Sequence, residues 1–274
     1  MTPEQLLDTP DLIAVGVAGD EVRRQMHGVR STFVRVFEIH VDAPLQALPP
    51  RTHAGEFRLI GRPATLDALL TSVRAAVALA GGVPVTIGSM KDLAGLPAPI
   101  RTVGDALKNA GVAAVVQLPF DAIDDVELVA GDVMASGLPI LTLSIETLDD
   151  DRRLAVCHRA FELQKSLGSF HAFAPLPRTM SVSRPSTGYD DVKQVALARM
   201  VAGNIPSIQV DWALYGPKLA QVALTVGADD VDNVAAADPG ILGTRRSPFE
   251  EIKGNIKAAA LEPAERDGLF RERP

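Results

Sequence analysis

Short apolar stretches alternate with amphipathic stretches along most of the chain. The apolar stretches are rich in Val, Ile and Leu, which predicts buried strands, and apolar residues between them recur every three or four positions, which predicts helices. Seven strands are expected, at residues 31–43, 83–89, 112–120, 138–146, 170–177, 207–215 and 228–235. Nearly continuous apolar strands separated by helices indicate an α/β fold with a parallel sheet.

The number and order of these elements favour a (β/α) TIM-type barrel that is incomplete or shortened. A doubly wound open sheet is the alternative, although no Gly-rich dinucleotide-binding fingerprint follows the first strand. Ser247 and Pro248 are typical of a helix start and predict a last helix. We expect one domain over residues 1–274, with an N-terminal helical segment (1–28) and a C-terminal helix and tail (247–274).

Composition and charge narrow the classes of partner. The formal net charge is −7, the pI is about 5.3, and no basic cluster is interleaved with aromatic residues, so nucleic acid is not an expected partner. The first residues lack the basic and apolar regions of a signal peptide. No run of about 18 apolar residues predicts a membrane span. We expect a cytoplasmic protein.

The chain contains a single cysteine, Cys157. One cysteine excludes an intrachain disulfide and any zinc or iron–sulfur site built only from thiolates of this chain. The helical spacing around Cys157 predicts a buried, inert thiol. The neighbouring His158 points about 100° away on a helix, so the two residues do not by themselves form a nucleophile–base pair.

The C-terminal part of the chain carries a specific family resemblance. The runs that carry it are "FELQKSLGSFHAFAPLP", "TGYDDVKQVALARM", "NIPSIQVDWALYGPKLAQVALTVGADDVDN" and "EPAERDGLF". They resemble the radical SAM enzymes of the futalosine route to menaquinone, which include aminofutalosine synthase and dehypoxanthine futalosine cyclase. The "ADDVDN" variant and the closing run are closer to the synthase, and the N-terminal half matches more weakly. The resemblance implies a radical SAM-type (β/α) barrel.

The resemblance also implies cofactors that this chain does not support. Family members follow the first strand with a CxxxCxxC loop, whose thiolates hold the [4Fe–4S] cluster that cleaves S-adenosylmethionine (SAM). Here the corresponding loop reads "PLQALPPRTHAG", without cysteine, and the Gly-rich SAM-binding turn is altered to "TIGSMKDL". We therefore predict no cluster, no other cofactor and no radical SAM activity.

The barrel mouth is expected to differ from that of the family in two further ways. The chain between "VVQLPFDAI" and "LPILTLSIE" is shorter than in family members, as though one βα unit were absent. The loop that replaces the cluster motif is expected to fold over the mouth, because Pro49 and Pro50 restrict its backbone. Leu45 and Leu48 would then plug the opening, since an exposed apolar cavity is costly.

Polar residues near the end of the first strand are candidate ligand contacts. Glu38, His40 and Asp42 share one strand face, at the end where parallel barrels carry their sites. Their residue types suit either a divalent metal or a metal-free polar pocket. The alternative is that they are solvated, or paired with Arg35 or Arg51.

Polar residues at the opposite wall are the other candidates. Asp211 lies at a strand end, either in the pocket or as a structural hydrogen-bond acceptor at a helix N-terminus. Tyr215 either lines the pocket or packs. Asp232 and Asn233 lie nearest the expected mouth and are favoured for ligand contact.

Three aspartates crowd the start of the last predicted strand, at positions 229, 230 and 232. They cannot all be buried as anions without partners. We therefore expect some of them to face solvent or to cap a helix.

Three functions are compatible with these observations. The first is a non-radical accessory or ligand-binding protein of the menaquinone route, whose partner is a catalytic futalosine-pathway enzyme or a nucleoside-like molecule. The second is an enzyme with new, cluster-free chemistry at the barrel mouth, which a metal would assist. The third is a radical SAM subunit that uses the cluster of another chain.

Overall fold

The computed structural model describes residues 2–43, 46–179, 187–238 and 247–273. The barrel strands are β1 (Arg30–His40), β2 (Glu56–Ile60), β3 (Val85–Ser89), β4 (Ala114–Pro119), β5 (Ile140–Ser144), β6 (Ala172–Ala174), β7 (Ser207–Asp211) and β8 (Asp230–Ala235). All eight are parallel, each pairs with the next, and β8 pairs with β1, which closes the barrel. The predicted barrel is confirmed, and the open-sheet alternative is wrong.

Helices surround the barrel and bury its outer face. They are α1 (Pro3–Asp8), α2 (Leu12–His27), α3 (Leu66–Ala80), α4 (Met90–Leu93), α5 (Ile100–Ala110), α6 (Val126–Ala135), α7 (Arg153–Leu167), α8 (Gly188–Val201), α9 (Trp212–Leu224) and α10 (Pro248–Ala258). One continuous hydrophobic core joins helix and strand residues. The predicted start of α10 is confirmed, because the Ser247 hydroxyl accepts a hydrogen bond from the Glu250 backbone N–H at 3.4 Å.

The expected count of seven strands is one short, because the apolar pattern does not reveal β2. This strand has only five residues, and two of them, Glu56 and Arg58, are charged. With β2 in place the barrel is complete. The connection between β4 and β5 contains α6, so the expected loss of a βα unit is also wrong.

The strand expected over residues 207–215 ends earlier, at Asp211. The Asp211 carboxylate accepts a hydrogen bond from the Leu214 backbone N–H at 2.9 Å and so caps α9, which follows at once. Gly216, with φ 75° and ψ 166°, interrupts this helix just before Pro217. The Gly-Pro pair therefore marks a kink inside α9 rather than its start.

A ninth strand, β9 (Glu262–Arg266), pairs with the first half of β1, while β2 pairs with the second half. The chain then turns beneath the barrel, where the Gly268 backbone N–H donates to the Gly55 carbonyl at 3.0 Å. The Phe270 ring stacks on the His171 ring with centroids 5.1 Å apart. This C-terminal segment covers part of the N-terminal end of the barrel. None of the helices in the described ranges combines the length and apolar character needed to cross a bilayer.

Candidate functional site

A cavity of about 340 Å³ lies at the C-terminal ends of the barrel strands, where parallel barrels carry their sites. We call it the mouth cavity. Its lining includes the cations Arg58, Arg62, Lys91 and Arg178, the carboxylates Glu38, Asp92 and Glu146, and the amide of Gln117. Its volume is near the lower end of the range typical of small-molecule sites, and its polar groups converge from several strands.

Arg58 forms the floor of the mouth cavity. Its buried guanidinium donates to the Glu56 carboxylate at 2.7 Å and to the Asp232 carboxylate at 2.8 Å. The Thr86 hydroxyl donates to Glu56 at 2.6 Å and completes the network. Burial alone would raise the pKa of Asp232, but the Arg58 charge outweighs it and lowers that pKa. The Asp232 carboxylate is therefore held as an anion beside one fixed cation.

Arg178 forms a second charged pair beside the first. Its guanidinium donates to the Asp211 carboxylate at 3.2 Å. Burial and the nearby Asp232 charge raise the pKa of Asp211, whereas Arg178 lowers it. The Tyr215 hydroxyl donates to the Pro177 carbonyl and so fixes the segment that carries Arg178.

The rim of the mouth cavity comes from the segments after β3 and β5. The Lys91 amine pairs with the Glu146 carboxylate at 3.0 Å, and the Thr179 hydroxyl also donates to Glu146 at 2.5 Å. Ser89 caps the short helix α4 through the Lys91 backbone N–H and thereby directs Lys91 and Asp92 to the cavity. Burial raises the pKa of Asp92, although the Gly61 backbone N–H and nearby cations lower it.

The structure separates the three candidates at the end of the first predicted strand. Glu38 lines the mouth cavity and accepts a hydrogen bond from the Asn233 side chain at 3.1 Å. His40 and Asp42 are exposed and do not line it. Throughout the part of the chain that the structure describes, no three His, Cys, Asp or Glu side chains are grouped closely enough to hold a metal ion.

The candidates at the opposite wall do not themselves line the mouth cavity, but three of them bind residues that do. Asp211 is buried and adopts the structural role of a helix cap while also pairing with Arg178. Asp232 is bound to Arg58, and Tyr215 supports the loop that carries Arg178. Asn233 has a φ of 60°, a left-handed conformation, and contacts Glu38.

The expectation that some of the three aspartates face solvent is wrong. Asp229, Asp230 and Asp232 are all buried. Each has its own arginine: Arg199 binds Asp229, Arg266 binds Asp230 at 2.7 Å, and Arg58 binds Asp232 at 2.8 Å. Paired in this way, three neighbouring anions are compatible with the barrel core.

Several residues of the site are not apparent from the hydrophobic pattern. Arg58 and Glu56 lie on the strand that the pattern misses, and Arg178 and Gln117 carry no motif. One signal could have revealed the first pair. Charged and apolar residues alternate in the order Glu56, Phe57, Arg58, Leu59, as expected for a strand with one polar and one apolar face.

The predicted plug does not form in the described part of the β1–β2 connection. Leu48 packs half-buried against the hydrophobic core, and no residue of 46–55 lines the mouth cavity. The His53 backbone N–H donates to the Ala236 carbonyl at 2.9 Å, which holds this segment beside the end of β8. Leu45 lies outside the described residues.

The residues of this chain do not fit the [4Fe–4S] cluster that the resemblance implies. Residues 41–55, which follow β1, contain no cysteine. The predicted buried thiol of Cys157 is confirmed: it lies on α7, outside the barrel, and accepts a hydrogen bond from the Gln194 amide at 3.5 Å. Burial raises its pKa to about 12. This thiol is neither ionised nor near the mouth cavity.

Solved structures share the barrel. A crystal structure of HydG, a maturase of the [FeFe]-hydrogenase, superposes with a TM-score of 0.64 at 14% identity, covering 96% of this chain and 72% of that one. Methylornithine synthase (PylB) superposes with a TM-score of 0.64 at 12% identity, covering 96% and 93%. At these identities the likeness concerns the fold alone, and it agrees with the expected (β/α) barrel.

Sequence comparison identifies the relatives of this chain. Aminodeoxyfutalosine synthase of Thermus thermophilus is 34% identical over 145 residues, 47% of this chain and 38% of that protein. The 5-amino-6-(D-ribitylamino)uracil–L-tyrosine 4-hydroxyphenyl transferase of Methanothermobacter thermautotrophicus is 35% identical over 135 residues, 47% of this chain and 36% of that protein. The chain thus spans less than half the length of these curated relatives. Residues 172–274 match the family described as the CofH/MqnC C-terminal region. Over residues 172–274 this chain is similar to that family, and the expected resemblance to aminofutalosine synthase is confirmed.

Proposed function

We propose that this chain is a clusterless relative of aminofutalosine synthase that binds a small, nucleoside-like molecule in the mouth cavity and runs no radical reaction of its own. It acts beside the menaquinone route, as a partner of a catalytic enzyme or a binder of its intermediates. One observation carries this proposal: the same barrel combines a polar mouth cavity with a β1–β2 connection that has no thiolate.

The charged groups of the mouth cavity are held in place by the protein itself. Arg58 is fixed by two buried carboxylates, and Arg178 by Asp211 and by the loop contact of Tyr215. Groups that are already ordered lose little conformational freedom when a ligand binds. This supports a binding role, because a site retained only as scaffold has no need of ordered polar groups around an open cavity.

Calorimetric titration with adenosine and with SAM tests the proposal. We expect the wild-type chain to bind at least one of these probes. Arg178→Met removes a cavity-lining guanidinium that is about one third exposed, and we expect about 10-fold weaker binding, because hydrogen bonds from charged donors contribute more than neutral ones. Arg159→Met is the matched control, because Arg159 pairs with Glu127 on the surface and both side chains are nearly half exposed.

Two results would contradict the proposal. The first is that the folded wild-type chain binds neither probe. The second is that Arg178→Met and Arg159→Met weaken binding equally, which would place the bound molecule outside the mouth cavity.

Acid–base chemistry without a cluster is a second candidate function, and one observation favours it. Asp92 borders the mouth cavity, and burial raises its pKa. A carboxyl with a raised pKa beside a ligand site is a candidate general acid. Chemical turnover of a bound nucleoside that Asp92→Asn abolishes, with binding retained, would favour this enzymatic function over simple binding.

A further inference from the structure

One wall of the barrel carries two buried hydroxyl groups. Thr142 and Ser144 lie on β5, and both are fully buried. Neither hydroxyl oxygen has a hydrogen-bond partner among the residues that the structure describes. A buried hydroxyl without a partner lowers stability, so each such group in a folded protein calls for an explanation.

Both hydroxyls face the barrel interior. Thr142 pairs directly with Gln117 of β4, whose amide lines the mouth cavity. Directly paired residues on neighbouring strands point to the same face of the sheet, so Thr142 faces inward with Gln117. Ser144, two residues further along β5, points to the same face. The next residue at this spacing, Glu146, also lines the cavity. The two hydroxyls thus lie on the same inward-facing wall as Gln117 and Glu146, directly beneath the lining of the mouth cavity, of which they are not part.

The strand on the other side places only small side chains beside them. Thr142 pairs with Ala172 of β6, and Ser144 pairs with Ala174. Both alanines are buried and share the inward face, so only methyl groups stand next to the hydroxyls on that side.

The cations that line the mouth cavity already lie beside carboxylates. Three of the four lining cations form ion pairs with carboxylates: Arg58 with Glu56 and Asp232, Lys91 with Glu146, and Arg178 with Asp211. The fourth, Arg62, is exposed and acts electrostatically on Asp92. The hydrogen-bonding capacity that remains unused on the β5 wall is therefore uncharged.

We propose that Gln117, Thr142 and Ser144 form a recognition wall for an uncharged part of the ligand that bears hydroxyl or amide groups. Each hydroxyl can donate one hydrogen bond and accept two, and the Gln117 amide both donates and accepts. A diol or a carboxamide matches these groups, because it also donates and accepts, whereas an ionised phosphate only accepts. This inference rests on the proposed ligand-binding function and names the chemical class that the site takes.

The test combines ligand binding with the stability of the ligand-free protein. The variants are Thr142→Val and Ser144→Ala, and the probe is adenosine, which is uncharged and carries a ribose diol. We expect each variant to bind adenosine about 10-fold more weakly, the usual effect of losing one good hydrogen bond. We also expect the unfolding temperature of each ligand-free variant to be unchanged or higher, because an unsatisfied hydroxyl has been removed.

Thr225→Val is the control. Its hydroxyl is exposed and donates to the Val222 carbonyl at the end of α9, at the opposite end of the barrel, so adenosine affinity should not change. A lower unfolding temperature for both wall variants would show that the hydroxyls have structural partners and would overturn the inference. Equal adenosine binding by the wild-type chain and by Thr142→Val and Ser144→Ala would overturn the inference, while the proposed function would stand. If the wild-type chain binds neither adenosine nor SAM, both this inference and the proposed function are contradicted.

Discussion

At the scale of single residues, the barrel buries several charged side chains in its interior. Three aspartates within four positions are buried, and each is paired with an arginine from another part of the chain. The arginines lie 30, 36 and 174 positions away. Local patterns identify the aspartates as unusual but cannot show such distant partners. The physical rule that buried anions need partners holds here, but the expectation that some of them face solvent is wrong.

The Arg58 network leads to a prediction about stability. Arg58→Met should lower the free energy of unfolding by about 3–5 kcal/mol at neutral pH, because Glu56 and Asp232 would be left as buried anions without a cation. The loss should shrink as the pH falls. Asp232 has a lowered pKa in the folded protein, so its stabilising effect is present above its unfolded pKa and is lost as the pH falls through the folded value.

Denaturant unfolding of Arg58→Met at several pH values measures this effect. Arg159→Met is again the control, and its free energy of unfolding should change by less than about 1 kcal/mol, because its pair with Glu127 is exposed. A destabilisation by Arg58→Met that is as small as the control's, or that does not depend on pH, would show that the network is not held by charge.

At the scale of elements, the strands and helices with strong periodicity are those that the sequence predicts well. Strand β2 escapes prediction because two of its five residues, Glu56 and Arg58, are charged. The other seven barrel strands are predicted. The end of β7 is also missed, because "VDWALY" remains apolar while the Asp211 side chain caps a helix. In both cases a polar side chain with a specific partner decides the local structure, and an apolar pattern does not detect it.

The close contact between the segment after β9 and strand β2 leads to a prediction at this scale. A Cβ atom at Gly268 would lie 2.6 Å from the Glu56 Cγ and 3.0 Å from its Cβ and Cδ. Glu56 cannot move away freely, because Arg58 and Thr86 hold its carboxylate. Gly268→Ala should therefore lower the free energy of unfolding by about 1–3 kcal/mol, as overpacking does.

Gly131→Ala is the matched control, because Gly131 lies in the middle of α6 and no atom comes within 4 Å of an added Cβ. Alanine should stabilise that helix by about 0.5–1 kcal/mol. Thermal unfolding of both variants gives the comparison. If the two substitutions had the same effect, the C-terminal segment would not be packed against the β2 strand as described.

At the scale of the whole molecule, this chain closes a complete eight-stranded barrel, as the family resemblance predicts. Its single cysteine does not supply the three thiolates of the cluster that the resemblance implies. The composition of the mouth cavity is less accessible to prediction, because its residues come from several barrel strands and the segments after them, and meet only when the barrel closes. Candidates chosen from strand ends therefore identify the right end of the barrel but only some of its contacts.

Anaerobic reconstitution with iron and sulfide tests the central claim, that this barrel works without a cluster, most directly. A family member with an intact CxxxCxxC loop is reconstituted in parallel as the positive control. After desalting, we expect the wild-type chain and Cys157→Ala to retain no stoichiometric iron or sulfide and to show no visible charge-transfer absorption, since three thiolates are absent. Stoichiometric iron and sulfide bound to the wild-type chain, and lost in Cys157→Ala, would contradict the account.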